Sequence, residues 1–572
     1  MSMRFHPSST GSTIDSVLLR RPPRAESKDV ELGRVSSFSS ENLRPSAASI
    51  LHDIRRAKIG GAFWLPSVVL SAERNILLSL PADGALAWSL WKHVTAQVDA
   101  RNIVVFSQHL HHADAIRAAG GHVVSHVDPH SMVDQAEEVW ATGRDDVALL
   151  GAIYGRLVRI WSPEGGEVVF SETMALEWLT LAISWRSPFD GGLINLTEAV
   201  RIVSDDRRAW ERTRDVAVCV GMAWWKRERI REFFNVSRKR VFFRHSMYGA
   251  LSEAQRRKGI IAAWSSRIPS GLKNKAKAQG VGICQVEDGF LRSVGLGSDL
   301  LPPCSIVLDR AGIYFDPSRP SDLEKILMET SFDDSLRARA RHLIDTLVAR
   351  NVSKYGSTAD VGSLLSRPAG KTVILVPGQV SNDLSIRLGC GDVSDNLSLL
   401  RNVRDRMPDA HIVFRPHPDV DAGHRPGAVR DDIALQYADE IARGGPMVSL
   451  IAQVDEVHTM TSLAGFEALL RGRAVTTYGN PFYAGWGLTC DLAPSTGRRG
   501  RNLQLEELVA GALILYPLYL DPVTRTPCGP EVLVERLSDP TLWTTSFTVR
   551  LRRLQGRLRR KMQYTRMRIW PK

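Results

Sequence analysis

The chain has 572 residues, 44% hydrophobic and 24% charged, a make-up that suits a soluble globular protein too long for a single core. Its net charge of +12 is local, because residues 550–572 hold ten of the 74 Lys and Arg and no Asp or Glu, leaving 64 against 62 elsewhere. This argues against nucleic acid as a partner, which needs basic character spread over a binding face. Six scattered cysteines without a Cys-x-x-Cys pair argue against a disulfide framework or a zinc site and fit a reducing cytoplasm.

Residues 1–24 lack the apolar centre of a signal peptide, and no window reaches the roughly 18 apolar residues of a membrane span. Residues 1–50, rich in Ser, Pro and Arg, read as a flexible arm. Residues 51–210 form an additional α/β region, with strands expected at 103–106 and 123–124 and a helix at 112–119. Here Glu137-Glu138-Val139, followed by Gly155-Arg156-Leu157-Val158, echoes Asp455-Glu456-Val457, followed by Gly472-Arg473-Ala474-Val475. The early copy lacks Thr461-Ser462 and Glu467, so it is either a decayed nucleotide-binding half or a coincidence.

A Rossmann-like region is expected over 211–365, with strands at 216–220 and 241–243, a helix at 251–264 and a buried strand at 281–286. That last strand runs into Glu287-Asp288-Gly289, and open α/β sheets place their chemistry at such strand ends. Alternation along a strand lets only one of the two carboxylates face a cleft. Gly289 permits a sharp turn, and Gly295 and Gly297 permit close backbone approach. Ser321-Asp322-Leu323-Glu324 matches a capping box, a helix follows at 333–350, and 351–370 is a polar connector.

A second Rossmann-like region is expected over 366–540. A strand at 372–376 ends in Pro377-Gly378-Gln379, and a strand at 411–414 ends in Arg415-Pro416-His417-Pro418. A third leads through Thr461-Ser462 into a helix at 463–470, stopped by Gly472. Strands alternating with helices predict parallel sheets. Thr461 and Ser462 stand where free amides and hydroxyls favour a phosphate, and Glu467 is within reach of ribose hydroxyls if its helix faces the cleft. His417, fixed between prolines, is suited to meet a departing oxyanion. Asn480-Pro481-Phe482-Tyr483-Ala484-Gly485-Trp486-Gly487-Leu488 is a loop able to wall a cleft. Carboxylates in one sheet domain, followed by Pro-Gly-Gln, Arg-Pro-His-Pro and Thr-Ser-helix in the next, suit a glycosyltransferase built as two Rossmann-like domains in GT-B arrangement.

Residues from about 215 to 530 resemble the capsule polysaccharide biosynthesis and export family of bacterial β-Kdo transferases. The matching stretches are Val286-Glu287-Asp288-Gly289-Phe290-Leu291-Arg292, Gly312-Ile313-Tyr314-Phe315-Asp316, Arg415-Pro416-His417-Pro418-Asp419, Thr461-Ser462-Leu463-Ala464-Gly465-Phe466-Glu467 and Pro481-Phe482-Tyr483-Ala484-Gly485-Trp486-Gly487. The shorter motifs are also similar to those of bacterial sialyltransferases. The resemblance implies retaining transfer of Kdo from CMP-Kdo to a phospholipid or glycolipid acceptor, with the capsule export machinery as a further partner and no cofactor. It implies Asp288 as nucleophile, with Glu287 as anchor or as the active group instead. It also implies His417, Thr461 and Ser462 on the CMP phosphate and Glu467 on the ribose. Arg292 and Arg415 are the candidates for the sugar carboxylate, and no acidic cluster suggests a metal. The chain departs from the family in carrying one complete motif set, and Ser381-Asn382 where acidic residues are expected.

Residues 541–572 form a basic tail whose apolar residues share one helical face, as in helices that lie on anionic membranes. The alternatives are a helix docked on the protein itself or an RNA-binding tail. The expected location is cytoplasmic, peripheral at the inner face of the inner membrane. A non-catalytic assembly or export factor and a CMP-sialic acid transferase are the competing readings.

Overall fold

The computed structural model describes residues 16, 18–23, 30–35, 47–108, 110–234, 240–294, 301–354, 356–357 and 365–543. Gly295, Gly297 and the basic tail from 544 onward lie outside them. The described residues fall into two compact units that divide between Arg214 and Asp215.

In the first unit, strands β1 (Ile76–Ser79), β2 (Ile103–Phe106), β3 (His122–Val124), β4 (Glu138–Ala141), β5 (Leu157–Ser162) and β6 (Gly166–Val169) lie in the order β3-β2-β1-β4-β5-β6. All pair in parallel except β5 with β6. The unbroken apolar runs of β1 and β2 are buried throughout, as expected where both sheet faces are covered. Part of the expected flexible arm is packed instead. Leu18, Leu19 and Leu32 are buried, Gly33–Val35 pairs with Ile183–Arg186, and Arg21 is ion-paired to the buried Asp206. Two or three apolar residues show no period in sequence, and only the partner surface reveals what they cover.

The second unit contains two large sheets and a two-stranded ribbon, Val352–Ser353 paired with Gly356–Ser357. Strands β7 (Val216–Val220), β8 (Phe242–Arg244), β9 (Ile260–Trp264), β10 (Ile283–Asp288) and β11 (Ser305–Asp309) belong to a seven-stranded sheet. The other sheet contains β12 (Val373–Pro377), β13 (His411–Arg415), β14 (Glu440–Ile441), β15 (Glu456–Thr459), β16 (Ala474–Thr477) and β17 (Cys490–Asp491) in the order β14-β13-β12-β15-β16-β17, entirely parallel. The chain then returns to the first sheet as β18 (Pro517–Leu520) and β19 (Pro527–Cys528), completing the order β8-β7-β9-β10-β11-β18-β19. The α/β class with Rossmann-like parallel sheets is therefore as expected. The first sheet is not wholly parallel, however, because β11, β18 and β19 join antiparallel.

Two further expectations change. The stretch read as a helix at 251–264 is helix Met247–Arg256 followed by strand β9. Lys258 adopts φ 51° between them, a left-handed turn that ends the helix and frees the β-branched pair Ile260-Ile261 to enter the sheet. Strand β10 also continues through both carboxylates rather than breaking before them, because β11 pairs with them, Glu287 opposite Val307 and Asp288 opposite Ile306.

The two lobes of this unit meet through aromatic rings. Phe290 stacks on Phe482 at 4.5 Å and meets Tyr314 edge-on at 4.9 Å, while Phe466 lies 5.2 Å from Phe482. Replacing Phe290 by Ala is expected to destabilise the second unit by about 3–5 kcal/mol, the cost of deleting a buried ring. A urea midpoint displaced by less than 1 kcal/mol equivalent would show that the seam does not depend on this ring.

Candidate functional site

At the carboxyl ends of the parallel strands β7 to β10 stand Glu287 and Asp288, the last two residues of β10. Asp288 is held by two cations. Lys226 Nζ lies 2.9 Å from its Oδ1, and Arg292 Nε lies 2.9 Å from its Oδ2. Arg292, 1% exposed, also donates to the Ser293 hydroxyl and to the Leu301 carbonyl, both at 2.8 Å. The Lys226 ammonium sits 3.6 Å from the centre of the Trp264 ring. Burial pushes the Asp288 carboxyl up, but Arg292 and Lys226 outweigh it and hold the group below its ordinary range. Glu287 goes the other way. Burial, and then the neighbouring Asp288 charge, push it up to about 7. Burial also pulls Lys226 down, with Asp288 and Glu287 only partly restoring it. We assign Asp288 as the charged member, because a guanidinium that cannot deprotonate is bonded to it.

The second lobe brings its motif residues to the ends of β12, β13 and β15. Gly378 donates its N–H to the Arg415 carbonyl at 2.8 Å. A Cβ at that position would stand 3.2 Å from this carbonyl and 3.3 Å from the His417 amide, so glycine allows the two strand ends to close. Gln379 bonds the helix-start loop at three points: Oε1 accepts from Thr461 N at 3.0 Å and Thr459 Oγ1 at 3.2 Å, and Nε2 donates to Thr461 Oγ1 at 3.0 Å. His417 caps the short helix Pro418–Asp421, its Nδ1 accepting from Asp419 N at 3.1 Å. Nδ1 therefore carries no proton, and Nε2–H is left as a donor. Burial lowers the His417 pKa, which keeps the ring neutral at pH 7. Ser462 caps helix α1 (Leu463–Leu469), accepting from Ala464 N at 3.2 Å.

Three predicted binding residues have other partners. Arg292 is enclosed around Asp288 and serves to position it. Arg415 is buried and donates to the carbonyls of Ala442 and Gly445, both at 3.1 Å, so its guanidinium is turned into the lobe. Glu467 is 9% exposed, and its Oε1 accepts from the backbone N of Lys354 at 3.2 Å, not from an open cleft. Burial pushes the Glu467 carboxyl up, against the pull of Arg471 and Lys354. Spacing in sequence could not show the partners of Arg415 and Glu467, which come from distant segments, whereas Arg292 is claimed by its near neighbours Asp288, Ser293 and Leu301.

Sequence reasoning missed Lys226 and Lys354. Lys354 joins the lobes: its carbonyl accepts from Arg292 N at 3.0 Å, its N–H donates to Glu467, and its charge lowers the carboxyls of Glu287, Asp288 and Glu467. It lies in a polar connector where a lysine carries no signal. Lys226 had a faint one, a cation in Trp224-Trp225-Lys226-Arg227 directly after a buried strand. Among the described residues, no helix is long and apolar enough to cross a membrane.

The family model for capsule polysaccharide biosynthesis proteins matches residues 260–356 and 332–519. The capsule polysaccharide modification protein LipA of Neisseria meningitidis serogroup A is 42% identical over 355 residues, covering 62% of this chain and 50% of LipA. The lipopolysaccharide-processing protein LpsZ of Rhizobium meliloti is 37% identical over 318 residues, covering 54% of this chain and 72% of LpsZ. The chain thus spans about half the length of the LipA proteins it matches. Among solved structures, the β-Kdo 2,7 transferase KpsC of Thermosulfurimonas dismutans is 34% identical with a TM-score of 0.47, over 56% of this chain and 98% of that one.

Replacing Arg292 by Met, which leaves Asp288 with a single cation, is expected to cost about 3–5 kcal/mol of stability in the second unit. Chemical unfolding checks this, and a loss below 1 kcal/mol would mean that Lys226 alone holds the carboxylate.

Proposed function

This chain belongs to the capsule polysaccharide biosynthesis family, and on that premise we propose that it is a retaining β-Kdo glycosyltransferase carrying Kdo from CMP-Kdo to a lipid-linked acceptor. The observation that carries the reading is a pair of adjacent carboxyls whose environments drive their protonation apart, the arrangement that divides acid–base roles within one site. Asp288, kept ionised by two cations, attacks the anomeric carbon of Kdo as CMP departs, forming a glycosyl ester with inverted configuration. The acceptor hydroxyl then displaces Asp288 and inverts the centre again, giving net retention. Glu287 leaves the strand on the other face but is bent back so that its Oε1 accepts from the Asp288 amide at 3.1 Å, and with its affinity for protons near neutrality it takes the proton from that hydroxyl.

The departing phosphate needs donors more than further charge. In this reading His417 offers Nε2–H, Thr461 and Ser462 offer hydroxyls, and the Gly378-Gln379 turn holds their loops together. No cofactor enters the scheme, and no residue set is assigned to a metal. The acceptor is a phospholipid or glycolipid, met at the inner face of the inner membrane with the help of the basic tail, and the capsule export machinery is the onward partner.

Two measurements test this. CMP release from CMP-Kdo is expected to fall at least about 10³-fold in Asp288→Ala, the scale of losing a nucleophile. Release that survives the substitution removes Asp288 from the mechanism, and no release by the wild type favours a binding factor. The rate of transfer to acceptor should climb as pH rises through about 7, because Glu287 must shed its proton to act as base. In Glu287→Gln that pH limb should vanish, and a limb of unchanged position there would give the role to another group.

A further inference from the structure

In the transferase reading the donor phosphate meets His417 Nε2–H and the hydroxyls of Thr461 and Ser462, all of them neutral. An anion gains more from charge-assisted donors, which are about twice as strong. Arg415 does not supply one, being turned into its lobe. Arg425 is differently placed. It follows helix Pro418–Asp421, which His417 caps, and the chain there folds back on that helix. The amides of His424 and Arg425 donate to the Asp419 carbonyl at 2.8 and 3.1 Å, and the Asp419 amide donates to His417 Nδ1. Burial is the main cause that lowers the His417 pKa, and the nearby Arg425 charge adds to it. The loop is also fastened to the Gly378-Gln379 turn. Ser381 N donates to the Pro426 carbonyl at 3.1 Å, and Asn396 Nδ2 bridges the carbonyls of Gly427 and Gln379 at 2.7 and 2.8 Å. At Gly427, with φ +126°, a Cβ would stand 2.8 Å from the Gln379 carbonyl, so glycine lets the loop lie this close. Gln379 in turn holds Thr461, so Arg425, His417 and Thr461 are positioned by one hydrogen-bonded framework.

The Arg425 side chain is exposed, and its Nη2 donates to Asn382 Oδ1 at 2.9 Å. Among the described residues it makes no ion pair, whereas Arg404, Arg430 and Arg443 of the same lobe sit on Asp439, Asp432 and Asp431. Asp383, the acid that follows Asn382, is occupied as the cap of helix Leu384–Gly389, accepting from the Ser385 amide and hydroxyl, both at 3.0 Å. A carboxylate at position 382 would hold the guanidinium and cancel its charge. The Asn382 amide holds it and leaves the charge, and the remaining N–H groups, for a ligand. A guanidinium fixed by a neutral partner beside neutral oxyanion donors matches a phosphate group, whose oxygens suit its planar fork. We propose that Arg425 is the cation of the donor-phosphate pocket and that Asn382 keeps it available. The inference rests on the transferase reading for calling the phosphate a donor's, but not for the binding of the nucleotide.

The test is the difference in affinity between CMP and cytidine, which differ only in the phosphate, measured by isothermal titration of the full chain. CMP is expected to bind more tightly. Arg425→Gln should weaken CMP at least about tenfold, the scale of one charge-assisted hydrogen bond, and leave cytidine unchanged. Asn382→Asp, a near-isosteric change, should weaken CMP to a similar extent by claiming the guanidinium. Its effect should shrink in a chain that already carries Arg425→Gln, where no guanidinium is left to claim. Position 425 is exposed, so unchanged melting curves would separate lost binding from lost folding. The proposal is overturned if Arg425→Gln leaves CMP affinity intact, or if cytidine weakens equally. It is also overturned if the loss appears with CMP-Kdo but not with CMP, which would put the arginine on the sugar. CMP binding that depends on Arg425, in a protein that turns over no CMP-Kdo, would uphold the inference and defeat the transferase reading. Turnover of CMP-Kdo indifferent to Arg425 would do the reverse, and a wild type that binds no CMP would defeat both.

Discussion

A carboxylate withdrawn from water must find cations within hydrogen-bonding distance, or it takes up a proton. Asp288 has two such cations, and much of the second unit is arranged to supply them. Arg292 follows the strand that carries Asp288 and is locked by Ser293 and Leu301. Lys226 comes from the turn after β7 and rests on Trp264 at the end of β9. Three strand ends thus converge on one side chain, and only in a sheet where they are neighbours can they do so. Glu287 lies beside a group already saturated with positive charge. Among the described residues it has no comparable partner, and burial and its neighbour outweigh the pull of Lys226 and Lys354 to hold its proton.

The seam between the lobes combines two kinds of contact. Phe290, Tyr314, Phe466 and Phe482 supply apolar area, and Lys354 supplies direction by bonding the Arg292 backbone on one side and Glu467 on the other. Ring stacking tolerates small rotations, while the hydrogen bonds at Lys354 set register. Glu467 acts in this seam, which accounts for a buried acid on a helix otherwise composed of apolar residues and glycine.

The first unit repeats the strand order of the second lobe, third-second-first-fourth-fifth-sixth. The echoed segments fall at matching places, Glu138 and Glu456 opening the fourth strands, Leu157 and Ala474 the fifth. The chemistry after the fourth strand differs. In the second lobe a neutral Ser462 caps the helix, whereas in the first unit Asp145 caps helix α2 (Asp146–Ile153) and accepts from the amides of Val147 and Ala148. A built-in carboxylate already occupies the amides that an anionic ligand would use.

Local sequence determined the elements whose cause is local. The apolar runs of β7, β12 and β13, the Ser321 cap and the Gly472 stop were legible because propensity, capping and buried-strand patterns act within a few residues. The motif order also placed Glu287, Asp288, His417 and Thr461-Ser462 at strand and helix ends. Tertiary structure alone decided which of these groups are open and which are committed. Arg292, Arg415 and Glu467 look alike in sequence as ligand-binding side chains, yet each is taken by a partner more than eight residues away or by backbone of another segment. The antiparallel β11 that extends β10 through the acids, and the two lysines whose charge lowers both carboxyls, are likewise contributions of distant chain. Charge state depends on burial and neighbours in space, and no spacing along a chain encodes either.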